Sequence, residues 1–377
     1  MKPADLVKQS KRIVIKIGSA LLTDEASGEL RKEWLHSVVE DIFQLKQLGK
    51  DIIIVSSGAI ALGRKSMDVD YTDAPSSIPL ELKQAAASIG QIEIIKGYDE
   101  AFQNHNIQTA LILLNPKDTE ERRPHLNARA TLNALLEKEH VPIINENDTV
   151  STAEIRFGDN DRLAARVAQM VNADLLIQLS TTDGLYTANP DSDSSAKHIE
   201  IVEQINDEIK SMAGEAKAGL STGGMKSKLK AANIVMKAGV NMVITSGVKN
   251  HPIKALLDGD KATIFKASEK PLSARKKWIS SHVSTEGLII VDEGADKALH
   301  SGKSLLPSGV KEAHGQFHYG DAIEIQNVDK QTLAIGIVQY SYDEALKIIG
   351  QKSSEIPKLL GYSRGDELIH RDNLVLT

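Results

Sequence analysis

Three polar clusters in this sequence carry residue types that could handle an anion. Lys16 lies near the end of the apolar run Ile13-Val14-Ile15-Lys16-Ile17 and is followed at once by Gly18-Ser19. An ammonium among such neighbours is costly to bury unless an anion pairs with it, and Gly-Ser backbone N–H groups can approach a phosphate closely. The second cluster, Ser221-Thr222-Gly223-Gly224-Met225-Lys226-Ser227-Lys228, enters a helix. Paired glycines form an anion-binding turn, and a lysine one turn into the helix projects back over the bound phosphate. Lys228 fits that role best and Lys226 is its rival, although a solvated basic face of Lys226, Lys228 and Lys230 satisfies the same spacing. The third cluster is Arg156-Phe157-Gly158-Asp159-Asn160-Asp161-Arg162. Its acids and Asn at a Gly turn could hold a metal, hold an ammonium or cap a helix, and capping by Asn160 or Asp161 is the default. Just upstream, Asn145-Glu146-Asn147-Asp148 adds carboxylates and amides that suit a zwitterion.

The surrounding pattern says what positions these groups. Apolar, β-branched runs predict strands over Arg12–Ile17, Asp51–Val55, Gln108–Leu114, Val141–Asn145, Asp174–Leu179, Asn241–Thr245 and Thr263–Phe265. Helices are predicted between them over Lys32–Leu48, Leu80–Phe102, His125–Glu139, Asp161–Val171 and Met225–Ala238. Such alternation implies a mostly parallel sheet covered by helices on both faces, an α/β three-layer sandwich. Ligands of such sheets bind beyond the carboxyl ends of the strands. There the chain places Lys16-Ile17-Gly18-Ser19, Ser56-Ser57-Gly58-Ala59, Asn145-Glu146-Asn147-Asp148 and Ser180-Thr181-Thr182-Asp183-Gly184. For any one of these loops the turn or cap reading is preferred. Several on one sheet edge weaken it in favour of a phosphate site.

Past Lys266-Ala267-Ser268-Glu269-Lys270-Pro271-Leu272-Ser273 the texture changes to Gly-punctuated β runs at Gly287–Val291, Asp321–Gln326 and Thr332–Gln339, with a helical stretch at Asp343–Ile349. The division this predicts is 1–265, a linker 266–279 and a small β-rich domain 280–377. The whole chain has 377 residues, net charge −6 and no cysteine, which excludes disulfides and thiolate chemistry and fits a reducing cytoplasm. No apolar run approaches the ~20 residues a bilayer span needs. Gly302-Lys303-Ser304 lacks the earlier glycine of a Walker A loop, and His314 and His318 have no third ligand nearby. Both read as surface features.

Taken together, these segments resemble the amino acid kinase family. The resemblance is carried by Val14-Ile15-Lys16-Ile17-Gly18-Ser19, Ser56-Ser57-Gly58-Ala59-Ile60-Ala61, Pro142-Ile143-Ile144-Asn145-Glu146-Asn147-Asp148, Gly158-Asp159-Asn160-Asp161, Gly184-Leu185-Tyr186-Thr187 and Thr222-Gly223-Gly224-Met225. Beyond the linker, Val291-Asp292-Glu293-Gly294-Ala295 and Ser304-Leu305-Leu306-Pro307-Ser308-Gly309-Val310 resemble a PUA domain. Within the family, that tail is similar to members that phosphorylate the side-chain carboxylate of glutamate with ATP and Mg²⁺, the first step of proline synthesis.

The resemblance implies roles for single residues. Lys16 and Lys228 would stabilise the transferring phosphoryl group and Asp161 would orient them. Ser57, Asp148 and Asn160 would bind glutamate. Gly18, Ser19, Ser180, Thr181 and the segment Thr222, Gly223, Gly224, Met225, Lys226, Ser227, Lys228 would join Lys16 in holding the nucleotide; no residue is assigned to a metal. The nucleotide loop departs from the family habit of Thr-Asp plus a basic residue, reading Ser180-Thr181-Thr182-Asp183. Also implied are inhibition by proline, a homo-oligomer packed through Gln84–Gln91, and a reductase that consumes the labile product. RNA binding is disfavoured by the acidic charge and by a tail without an evident aromatic platform. A glutamate carboxylate is already ionised at neutral pH, so such a kinase needs positioning and charge stabilisation rather than a general base.

Overall fold

The computed structural model describes residues 1–24, 27–67, 78–150, 160–190, 192–213, 224–267 and 285–377. Two compact units divide the chain, Met1–Pro271 and Leu272–Thr377. The expected linker 266–279 lies mostly outside the described residues. In the first unit run β1 (Arg12–Ile17), β2 (Asp51–Ser56), β3 (Thr109–Leu114), β4 (Val141–Glu146) and β5 (Leu175–Ser180). The short β6 (Leu185–Tyr186), β7 (His198–Ile199) and β8 (Ile201–Val202) follow, then β9 (Asn241–Ser246) and β10 (Ala262–Phe265). Eight of them form one sheet in the order β3-β4-β2-β1-β5-β9-β10-β8. Neighbours from β3 to β9 are parallel, whereas β10 runs antiparallel to β9.

Strand alternation splits the side chains between two cores. Ile13, Ile15 and Ile17 of β1 enter one, beneath the helices Lys32–Gln47 and Leu80–Gln103. Val14 enters the other, beneath Asn160–Met170 and Met225–Lys237. The unit is therefore three layers, helices on sheet on helices. Each fully buried Val or Ile contributes roughly 1.5–3 kcal/mol, which makes the middle strands the stable base of the site. The face of Asn160–Met170 turned to the sheet is small, with Ala164, Ala165 and Ala168 fully buried. That allows close approach and brings the first turn of the helix down onto β1.

On the other side, Ala59–Ser66 and Leu80–Gln103 cross backbone to backbone. A Cβ on Gly63 would fall 1.8 Å from the Ala86 carbonyl oxygen, and one on Gly90 would fall 1.9 Å from that of Ala59. Ala86, Ala87 and Gly90, in the stretch expected to pack copies together, are thus buried inside this chain, while Leu82, Ile89 and Ile92 stay exposed.

The second unit is built on β11 (Gly287–Val291), β12 (Val310–Gly315), β13 (Ala322–Gln326), β14 (Thr332–Ile337) and β15 (Leu374–Leu376), ordered β12-β11-β13-β14-β15. Its own core gathers Ile289, Val291, Phe317, Ile323, Ile325 and Tyr340. The helix Glu293–His300 was not among the predicted elements. Asp292 supplies its start signal, with Oδ1 accepting from Ala295 N–H at 2.7 Å. His314 Nε2 lies 2.9 Å from Glu312 Oε2, and no three His, Asp or Glu side chains among the described residues converge as a metal site.

Candidate active site

Lys16, on the penultimate residue of β1, is 7% exposed although its side chain carries a charge. Its ammonium lies 2.6 Å from Asp161 Oδ1, and Asp161 Oδ2 lies 3.4 Å from the ammonium of Lys228, itself 7% exposed. The three come from β1 and from the first turns of the helices Asn160–Met170 and Met225–Lys237. Burial opposes ionisation of Asp161, but the charges of Lys16 and Lys228 outweigh it and hold the carboxyl below its ordinary range. Lys226 and Lys230, two residues either side of Lys228, are exposed. Two residues along a helix is about 200°, so Lys228 faces the sheet while Lys226 and Lys230, one turn apart, share the opposite face.

Around the cluster are groups suited to phosphate. Gly18 runs so close that a Cβ there would stand 3.6 Å from the Lys16 ammonium, and Ser19 opens the next turn. Gly224 caps the 13-residue helix that begins at Met225 and carries Ser227 and Lys228, so the positive end of that helix faces the same edge. Gly58, at φ +107°, turns the chain from β2 into Ala59–Ser66. Ser180 ends β5, with its Oγ 3.3 Å from Thr182 Oγ1; Thr181 is exposed. Thr222 and Gly223 lie outside the described residues.

A second group of residues joins this one through Asn160. Its Nδ2 donates to Ser57 Oγ at 2.8 Å, to the Ser56 carbonyl at 2.9 Å and to Asn145 Oδ1 at 3.1 Å. Asn145 Nδ2 in turn donates to Gln91 Oε1 at 2.6 Å. Asn160 Oδ1 and Gln91 Nε2 are buried without a partner among the described residues. Nearby in sequence, Asp148 is buried beside Glu146, and burial followed by the Glu146 charge pushes its pKa up to about 7. Ser57, Asn160 and Asp161 thus meet at one edge of the sheet. Gln91 was not singled out as a site residue by sequence reasoning; only its place on the helix opposite β4 reveals it.

This geometry of buried lysines, helix ends and unpartnered amides at the carboxyl edge of a parallel sheet can neutralise phosphate and hold a zwitterion beside it. The sequence profile of the amino acid kinase family matches residues 11–246, and that of the PUA domain matches residues 287–360. This chain belongs to the amino acid kinase family. It is an enzyme, a kinase on the glutamate 5-kinase branch. Glutamate 5-kinase of Brucella anthropi is 49% identical over 370 residues, which are 98% of this chain and 97% of its relative. Its counterpart in Brucella ovis is 50% identical over the same shares. Among solved structures, carbamate kinase from Giardia lamblia bound to AMP-PNP aligns with 69% of this amino acid kinase and 100% of its own chain, at 17% identity and a TM-score of 0.49.

Proposed function

We propose that this kinase transfers the γ-phosphoryl group of ATP to the side-chain carboxylate of L-glutamate, giving L-glutamyl 5-phosphate. The observation that carries the reading is the buried Lys16–Asp161–Lys228 cluster next to the Asn160–Ser57 pair. Lys16 and Lys228 would neutralise the transferring group, with Asp161 fixing both ammoniums. Asn160 Oδ1, Ser57 and Asp148 would hold the amino acid, the first accepting from its α-ammonium. Backbone N–H groups of Gly18 and Ser19, with Ser180, Thr181 and the segment from Thr222 to Lys228, would hold the nucleotide.

Two ammoniums and one carboxylate leave the cluster a single positive charge, short of what a triphosphate needs. A divalent cation carried on the phosphates fits that deficit, and Mg²⁺ typically keeps several waters and takes few protein ligands. When bound it would neutralise charge on the phosphate oxygens. The carboxylate nucleophile brings its own negative charge, so no side chain has to remove a proton.

Proline carries the same α-carboxylate and a comparable ammonium, so feedback inhibition at the Asp148–Asn160 region belongs to this reading. So do a cytoplasmic setting, consistent with a chain free of cysteine, and a reductase that consumes the labile acyl phosphate. Among the described residues no helix is long and apolar enough to cross a membrane. The exposed Leu111 and Leu113 on edge strand β3, with Ile89 and Ile92, suit contact with a second copy. The test is ADP release with glutamate, aspartate, acetylglutamate and uridylate as acceptors. Glutamate alone should support turnover; equal rates with another acceptor would overturn the assignment.

A further inference from the structure

Asn160, Asn145 and Gln91 are hydrogen-bonded in series, and two backbone groups fix which way each amide points. The Ser56 carbonyl can only accept, so Asn160 presents Nδ2 to it at 2.9 Å, and the same Nδ2 meets Asn145 Oδ1 at 3.1 Å. The Glu146 N–H can only donate, and it donates to that Oδ1 at 2.9 Å. Asn145 Nδ2 is thereby turned to Gln91, which must answer with Oε1, at 2.6 Å. One acceptor and one donor are left over, Asn160 Oδ1 at one end of the series and Gln91 Nε2 at the other. Both are buried and without a partner among the described residues. Buried polar atoms are seldom left unpaired in native proteins, so an orphan acceptor and an orphan donor joined by one relay point to a ligand. A group carrying an ammonium and a carboxylate completes both.

Which carboxylate of the amino acid Gln91 meets follows from its place in the series. Asn160 directly precedes Asp161, which holds the two lysines that the reacting carboxylate must approach. Gln91 is at the opposite end, one turn along the helix Leu80–Gln103 from Ser88, whose Oγ lies 3.1 Å from Thr149 Oγ1 in the turn Asp148–Val150. We infer that Gln91 is a substrate-binding residue whose Nε2 donates to the α-carboxylate of the amino acid while Asn160 Oδ1 accepts from its ammonium. The neutrality of the amide sorts the two carboxylates of the substrate. A cation at Gln91 would compete with Lys16 and Lys228 for the side-chain carboxylate, whereas an uncharged donor leaves the lysine pair the stronger attraction. The inference rests on reading this edge of the sheet as the glutamate site beside the phosphoryl-transfer lysines.

The test compares Gln91→Met and Gln91→Glu with the parent enzyme, using two competitive inhibitors of glutamate turnover. Glutarate keeps both carboxylates and lacks the ammonium; 4-aminobutyrate keeps the ammonium and the reacting carboxylate and lacks the α-carboxylate. In Gln91→Met the glutamate KM and the glutarate inhibition constant each rise about tenfold or more, as loss of one hydrogen bond to a charged group requires. The 4-aminobutyrate constant changes by less than about twofold, since that ligand has nothing for Gln91 to hold. Gln91→Glu keeps an oxygen for Asn145 Nδ2 and so guards against a folding defect. There glutamate and glutarate weaken further through like-charge repulsion, and 4-aminobutyrate does not weaken. Equal weakening of both inhibitors overturns the inference, because it marks a role in holding Asn145 rather than a contact with the α-carboxylate. So does a glutarate constant that stays parental in either variant. A parent enzyme that releases no ADP with glutamate overturns the functional reading instead.

Discussion

Lys16 Nζ lies 2.6 Å from Asp161 Oδ1, with the two side chains 8% and 1% exposed. Burying an ion pair this deeply gains little net stability, because desolvation offsets most of the attraction. Removing one partner, however, leaves the other charge stranded. Asp161→Ala should destabilise the fold by roughly 3–5 kcal/mol, and Asp161→Asn by less. The pH dependence has a definite sign. The folded carboxyl titrates below its ordinary value, so its contribution is present above about pH 4 and is lost as pH falls through the folded pKa. Chemical denaturation from pH 7 down to pH 3 checks this; stability unchanged in Asp161→Ala would contradict it.

Lys16→Ala and Lys228→Ala should each lower kcat by roughly a hundredfold or more, because the proposed role puts both where charge develops in the transition state. The glutamate KM should move little. Lys226→Ala, which alters an exposed side chain, should keep kcat within a fewfold. Steady-state kinetics by coupled ADP detection distinguishes the three, and near-parental turnover in both buried-lysine variants would remove the cluster from the mechanism.

Asp148 supplies a pH effect of the opposite sign. Its pKa of about 7 means the folded protein keeps a proton that the unfolded chain has released by about pH 4. Stability should therefore decline as pH rises from about 4 to 7 and then level, a cost on the order of 4 kcal/mol that Asp148→Asn removes. Glutamate binding should gain over the upper part of that window, since an ionised Asp148 attracts the α-ammonium. The glutamate KM should fall as pH approaches 7 and flatten above it. A flat profile in the parent enzyme, measured with ATP saturating, would separate Asp148 from the amino-acid site.

What the sequence disclosed and what it hid follow from range. Lys16 stood out because a charge inside Ile13–Ile17 is anomalous within a few residues. Lys228 could not be separated from Lys226 that way, since which one faces the sheet depends on how the helix Met225–Lys237 packs. The main strands were legible from their apolar runs. β8, two residues long, and the antiparallel setting of β10 were not, because a short strand has no period and direction is fixed by a partner far along the chain. Asn145 lay in a visible motif, but its link to Gln91 spans 54 residues and two elements.

Gly90 ties the packing of the sheet's far side to the proposed amino-acid site, and its substitution gives the last test. In an exposed helix interior, Gly→Ala stabilises by roughly 0.5–1 kcal/mol. At Gly90 the added methyl would fall 1.9 Å from the Ala59 carbonyl oxygen, a backbone atom that cannot move without shifting a helix. Overpacking of this kind costs typically 1–3 kcal/mol, so the sign of the stability change should reverse. Gln91 is the next residue, and its 2.6 Å hydrogen bond to Asn145 should loosen as Leu80–Gln103 backs away. Gly90→Ala is therefore expected to lower the thermal midpoint and raise the glutamate KM while the ATP KM holds, because Lys16 and Gly224 lie on other elements. A stabilised variant with parental glutamate kinetics would show that the helix crossing does not set the geometry of Asn145 and Asn160.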